Sequence, residues 1–123
     1  AHSMANPLTR QFGVVHGQAV GQLLPFIVRF NAQEKQAALG YAELAYDAGM
    51  VERSMPTKEA VKHLIARLRE LVVISGLERI PDNIPASAIE ALSSEAAEQW
   101  TAQFNPRPVD AAAFRSLFAQ ITS

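Results

Sequence analysis

The sequence predicts an all-α fold, a helical bundle, and three observations carry that prediction. Apolar residues recur at i, i+3, i+4 and i+7 in three separate stretches, which is the period of a helix with one buried face. No stretch alternates apolar and polar residues over the length of a strand, and no internal repeat is visible. Glycines and prolines fall between the periodic stretches, where helices stop and turns begin.

The stretch between His2 and His16 is interrupted by Pro7 and Gly13. From Val15 to Phe30 the chain is strongly apolar through Leu23, Leu24, Phe26, Ile27 and Val28. Apolar side chains on nearly every face predict a buried helix, with Pro25 expected to kink or break it. Asn31 then reads as a polar stop or as the next N-cap. The period returns from Glu34 to Ala48, with Tyr41, Leu44, Ala45 and Ala48 on one face and Gly49 closing the helix. Pro56 and Thr57 mark a turn. After it Ala60, Val61, Leu64, Ile65, Leu68, Leu71 and Val72 form the longest stripe, ended by Gly76. Leu77 to Pro85 is expected to be loop, broken by Pro81 and Pro85. Ala88 to Ala97 is expected to be helical and to continue to Phe104. The connector Asn105-Pro106-Arg107-Pro108 is extended, since each proline fixes its own φ and biases its predecessor away from helix. Asp110 then N-caps a last helix carrying Phe114, Leu117, Phe118 and Ile121, with Val109 and Phe114 placed as a hydrophobic staple.

Composition narrows the function classes. At 123 residues the chain suits one domain, and 49% hydrophobic against 19% charged residues argues for a packed core over disorder. The formal net charge is −1, from 11 basic and 12 acidic residues with no block of either sign, so no nucleic-acid surface is expected. The apolar run Ala19 to Phe30 is too short and too interrupted to span a bilayer. There is no cysteine, which excludes disulfides and thiolate metal sites. No signal peptide opens the chain, and a cytoplasmic protein is expected.

Several catalytic signatures are absent: a glycine-rich phosphate loop, a GxSxG elbow and an HExxH pair. Glu43 and Asp47 read as a solvated helix face, and His63 as an exposed side chain. Trp100 and Phe104, at i and i+4, read as a core pair. That leaves His2 and His16, fourteen residues apart. Imidazole is the commonest nitrogen ligand of first-row metals, yet two histidines alone are equally ordinary surface or hydrogen-bonded residues.

The residues around them add more. The run His2-Ser-Met-Ala-Asn-Pro-Leu-Thr, followed by Gly13-Val-Val-His16-Gly17 and an apolar helix with Leu24-Pro25 and terminal Asn31, resembles the C-terminal helical domain of iron-dependent alcohol dehydrogenases. Tyr41-Ala-Glu-Leu-Ala45 and the ending Asn105-Pro-Arg-Pro108 are similar to later parts of that domain, with the weakest likeness from Met50 to Trp100. The resemblance implies a dehydroquinate synthase-like helical bundle. It also implies that His2 and His16 are two of four ligands of a divalent metal, Fe2+ or Zn2+. The family's other two ligands, an aspartate and a histidine, and its domain for NAD or NADP precede this part and are not among these residues. Many members carry a further histidine four residues after the first ligand, able to relay a proton. Here that place is Asn6, whose amide takes up no proton near neutral pH.

The expected function is therefore the metal-site part of an NAD(P)-dependent alcohol dehydrogenase acting on a small alcohol or carbonyl. As a single helical domain truncated at its N-terminal edge, it is expected to be inactive alone. The alternative is a stand-alone helical module derived from that family. In either case a second copy of the chain, or the missing N-terminal half, is expected to meet the segment His2 to His16, the one expected to lie most exposed.

Overall fold

Helix formation starts one residue into the chain. The computed structural model describes residues 1–77, 80 and 84–122, and among them finds α1 (His2–Phe12), α2 (His16–Asn31), α3 (Lys35–Asp47), α4 (Thr57–Ile74), α5 (Ala86–Glu98) and α6 (Ala111–Ile121), with a 3₁₀ turn at Trp100–Phe104 and no strand. The all-α expectation is met.

The helix α1 was not expected from the sequence, because Pro7 lies in its interior. Proline there removes the N–H that would bond the Ser3 carbonyl. Burial offsets that loss: Ser3, Met4, Ala5, Pro7 and Leu8 all point into the body, and Gly13, at φ 67°, closes the helix in the left-handed conformation. The segment expected to lie most exposed is thus buried along one whole face. Pro25 likewise does not break α2, which runs unbroken from His16 to Asn31 with Pro25 buried inside it.

The spine of the bundle is α2, which packs against α1, α3, α4 and α6. Successive residues on it serve two cores. Leu23 and Ile27 join Met4, Leu8, Leu92, Phe114, Leu117 and Phe118 in the larger core, between α1, α5 and α6. Val28 joins Ala42, Ala45, Ala60, Val61 and Leu64 in the smaller one, under the α3–α4 hairpin. The small alanines at that seam let α3 and α4 approach closely.

Details of register differ from expectation. In α3 the buried residues are Ala42 and Ala45, while Leu44 is 54% exposed. Its N-cap is Glu34, whose carboxylate accepts from the Ala37 N–H at 2.8 Å and is held below the usual carboxylate range by the backbone N–H groups of Ala37 and Gln36. In α4 Ala60, Val61 and Leu64 are buried and Ile65 and Leu68 pack against the smaller core, while the stripe reaches solvent at Leu71, as do Val73 and Ile74 outside it. Beyond α4, Leu77 lies over Gly21, where any Cβ would sit 2.9 Å from its Cδ1. The Ile80 N–H donates to Gln22 Oε1 at 2.9 Å, tying the connection back to α2. The rest of the expected loop, residues 78, 79 and 81–83, lies outside the described residues.

The expected continuation of α5 to Phe104 is replaced by a bend. The helix stops at Glu98, Gln99 is extended at φ −64° and ψ 128°, and the 3₁₀ turn follows. Trp100 and Phe104 are consequently no core pair: they meet edge to face at 5.5 Å with 69% of each exposed. At the C-terminal end Asp110 caps α6 as expected, accepting from the Ala113 N–H at 2.8 Å. Phe114 is buried in the larger core, and Val109 packs against that same core. Glu43 and Asp47 are exposed and both pair with Arg53, and His63 is exposed. No described helix is long and apolar enough to cross a membrane.

Candidate metal centre

His2 and His16 each occupy the first position of a helix, α1 and α2. A helix of eleven residues is about 16 Å long, so a tight antiparallel turn would leave the two starts far apart. Instead the connection of Gly13, Val14 and Val15, with Val14 buried in the larger core and Val15 extended at φ −58° and ψ 129°, returns the chain so that the two starts meet. The two imidazole centroids are 5.3 Å apart, with their planes inclined by 47°. Two imidazoles sharing one tetrahedral ion, with nitrogen–metal bonds of about 2.0–2.1 Å, have centroids about 5 Å apart. The donor set, two exposed imidazoles at that separation, therefore fits a borderline divalent cation. No further histidine, cysteine, aspartate or glutamate joins them among the described residues to make a group of three.

The floor beside the pair is set by polar side chains on the inner face of α1. Asn6, one helical turn after His2, donates from Nδ2 to Gln99 Oε1 at 3.0 Å. Ser3 Oγ and Thr101 Oγ1 share a hydrogen bond of 2.9 Å. Further along, Arg10 and Gln11 both reach the Glu95 carboxylate on α5. The bend at Gln99 makes the first two contacts possible, because it turns the Gln99 and Thr101 side chains toward α1. These neutral pairs fix α1, and His2 with it, without placing a charge next to the imidazoles. Sequence reasoning singled out Asn6 but missed Ser3, Gln99 and Thr101. The available signal was two polar residues, Ser3 and Asn6, at i and i+3 on a helix face that is otherwise apolar.

The pair of Arg10 and Glu95 yields a pH prediction. The Arg10 guanidinium holds the Glu95 carboxyl below the usual carboxylate range, helped by Gln11 and opposed by partial burial. A depressed carboxyl stabilises the fold above its unfolded-state pKa, and that contribution disappears as the pH falls through the folded value. Wild type is therefore expected to be more stable than Glu95→Gln at neutral pH. The gap should close only in the acid range, below the ordinary glutamate pKa. Urea midpoints measured from pH 7 to pH 3 check this, and a gap that widens in acid contradicts it.

A second polar cluster lies at the far end of α2. Asn31, 1% exposed, donates to Tyr41 Oη at 3.0 Å and to Asn105 Oδ1 at 3.0 Å, while Asn105 Nδ2 returns a bond to Asn31 Oδ1 at 2.6 Å. The Arg107 guanidinium lies 3.9 Å over the Phe30 ring and donates to the Phe30 carbonyl at 2.9 Å. Asn31 ends α2, as the polar stop expected of it, while the N-cap of the next helix is Glu34; with the connector Asn105-Pro106-Arg107 it also forms a structural clasp.

Beside His2 a cavity of about 280 Å³ opens, with Ser3 and Thr101 on its wall, Ile27 and Phe114 at its floor and Phe104 at its rim.

Comparison with known proteins adds the context of this geometry. Residues 1–122 match the family model described as Fe-containing alcohol dehydrogenase family, C-terminal. A 1-propanol dehydrogenase, PduQ, of Salmonella typhimurium is 30% identical over 98% of the chain, which spans 34% of that protein. Its namesake in Citrobacter freundii is 28% identical over 98% of the chain, again 34% of its own length. A crystal structure of a 1,3-propanediol oxidoreductase superposes with a TM-score of 0.88 at 24% identity, covering 98% of this chain and 31% of that one. The chain therefore spans about a third of the length of the relatives it matches.

Proposed function

The chain belongs to the Fe-containing alcohol dehydrogenase family, matching its C-terminal domain from residue 1 to residue 122, and on that premise we propose that it forms the metal-site part of an oxidoreductase. In the intact form, hydride would pass between a small alcohol or carbonyl and NAD or NADP bound by a separate domain. One observation carries the reading: the family's helical fold here brings His2 and His16 to 5.3 Å across the start of α1 and α2. These two side chains would supply two ligands of Fe2+ or Zn2+, and the remaining ligands come from outside these residues. Bound there, the cation supplies the positive charge that favours an alcohol's deprotonated form, or polarises a carbonyl.

The chain's own part is positioning. Neutral imidazoles leave the ion its full charge, which carboxylates would partly cancel. The Ser3–Thr101 and Asn6–Gln99 contacts hold α1 against the 3₁₀ turn, so His2 keeps its place. Asn6 donates and accepts hydrogen bonds but relays no proton near neutral pH, so proton movement would use another group or water.

Calorimetric titration with zinc tests the ligand pair. Binding is expected for the wild-type chain, and His2→Ala or His16→Ala should each weaken it by roughly tenfold or more, since a chelating pair becomes a single ligand. Equal binding by both variants would reject the pair. The 123-residue chain by itself is expected to give no NADH or NADPH formation with primary alcohols, because two protein ligands are fewer than the three a catalytic zinc site normally has. Metal-dependent turnover by this chain, followed at 340 nm, would contradict that.

A further inference from the structure

Seven arginines lie among the described residues, and four of them, Arg10, Arg53, Arg67 and Arg115, are held by carboxylates. Arg29, Arg69 and Arg107 form no ion pair among the described residues, and Arg29 and Arg107 are fixed beside one cavity of about 200 Å³. Phe26, Phe30 and Leu117 wall that cavity, and the polar side chains of Gln33, Ser116 and Gln120 share its lining. The Arg107 guanidinium lies 3.9 Å over the Phe30 ring, and that of Arg29 lies 5.6 Å over the Phe26 ring and donates to Gln120 Oε1. A ring beneath and a neutral acceptor at one corner orient each guanidinium without neutralising it. Arg107 uses only Nη1, on the Phe30 carbonyl and on Gln33 Oε1 at 3.0 Å. Its Nε and Nη2 hydrogens, the edge that matches two oxygens of one anion, have no partner among the described residues.

The charge balance favours an anion there. The C-terminal ends of α2 and α6 each carry about half a negative charge, so two guanidiniums leave about one positive charge in excess. No acidic side chain stands on the described lining, and the carboxylate nearest in sequence, that of Glu34, is engaged by the Ala37 N–H as the cap of α3. The space is smaller than the roughly 300 Å³ at which small-molecule sites begin, so it suits an ion or an end group and no whole cofactor. Arg29 also lies thirteen residues beyond His16 on α2, about 20 Å along its axis.

We propose that this cavity binds a phosphate-type oxyanion, as the free ion or as the end group of a phosphate ester. The open edge of Arg107 takes two of its oxygens, Arg29 adds the second positive charge, and Gln33 Nε2 and Ser116 Oγ are neutral donors on the same lining. The site does not depend on the proposed metal centre.

The test titrates the full 123-residue chain with inorganic phosphate, with glycerol phosphate and, as a control for screening, with sodium chloride to an ionic strength of about 0.15 M. Binding is followed in 1H–15N spectra by the arginine Nε–H signals and the amides of Gln33 and Ser116. The carboxylate-paired Arg10 and Arg53 serve as internal controls. Saturable shifts are expected at Arg29, Arg107, Gln33 and Ser116 with phosphate and not with chloride. Arg29→Gln and Arg107→Gln should each weaken binding by roughly tenfold, the usual effect of losing a charge-assisted hydrogen bond. Arg107→Gln also touches the clasp, so if it loses its helical circular dichroism, Arg29→Gln decides. Binding of inorganic phosphate alone identifies the free ion as the ligand, whereas binding of the ester identifies the end group. Shifts no larger than those with chloride, or equally large at Arg10 and Arg53, would overturn the proposal. So would unchanged affinity in folded Arg29→Gln.

Discussion

Replacing Phe118 by alanine is expected to lower the unfolding free energy by about 4 kcal/mol, within the usual range for a fully buried aromatic. Phe118 is 0% exposed and sits on α6, where the helix meets the larger core formed with α1, α2 and α5. Its neighbours Met4, Leu8, Leu23, Leu92 and Leu117 belong to four different helices, so the space left behind cannot close by the shift of one element. For a chain of this size the loss corresponds to a drop in Tm of about 10–20 °C. Urea unfolding followed by circular dichroism at 222 nm checks the figure. Phe104→Ala is the matched control: the same atoms leave from a ring that is 69% exposed, and the change should stay within about 0.5 kcal/mol. Equal losses for the two variants would mean that the larger core is not where the stability resides.

The clasp at Asn31 should be the second most sensitive point. Asn31→Ala removes a buried amide and leaves Asn105 and Tyr41 without the partner they share, for an expected loss of about 2–3 kcal/mol. Asn105→Ala should cost less, because Asn105 is only partly buried. The two losses should fail to add, since each variant already breaks the reciprocal pair. A double-mutant cycle gives the coupling, and strict additivity would show that the two amides do not act together. The variant should leave zinc binding at His2 and His16 unchanged, because the clasp closes the opposite end of α2.

How much of this the sequence discloses depends on whether a feature is local. The stripe from Ala60 to Leu64 and that from Phe114 to Phe118 are read directly, because the same residues that make the period are buried. Asp110 as the cap of α6 is equally local. The helix α1 is not, since its interior Pro7 argues against a helix by every local rule, and only burial against α2 and α5 outweighs that. Trp100 and Phe104 satisfy the i, i+4 spacing of a buried pair, but the bend at Gln99 changes the helix type and turns both rings outward. Leu44 and Leu71 fail in the same way, as good stripe residues with nothing packed over them. At the candidate site, the spacing of His2 and His16 is legible but their approach is not. It requires the connection of Gly13, Val14 and Val15 to return the chain so that the two starts meet, and no periodicity encodes that. Asn31 and the Asn-Pro-Arg connector stand out as a pattern, while the bonds that join them span 74 residues of sequence.

The position of Trp100 bears on how this protein should be watched in solution. It is the only tryptophan in the sequence, and in the folded chain it already faces water. Its emission should therefore be red-shifted in the native state and change little when the two cores melt, so an intrinsic-fluorescence melt would understate unfolding that circular dichroism records in full. The same indole touches Phe104. Excited at 295 nm, it becomes a local lamp that is nearly blind to the bundle and bright or dim according to what happens at the rim beside His2.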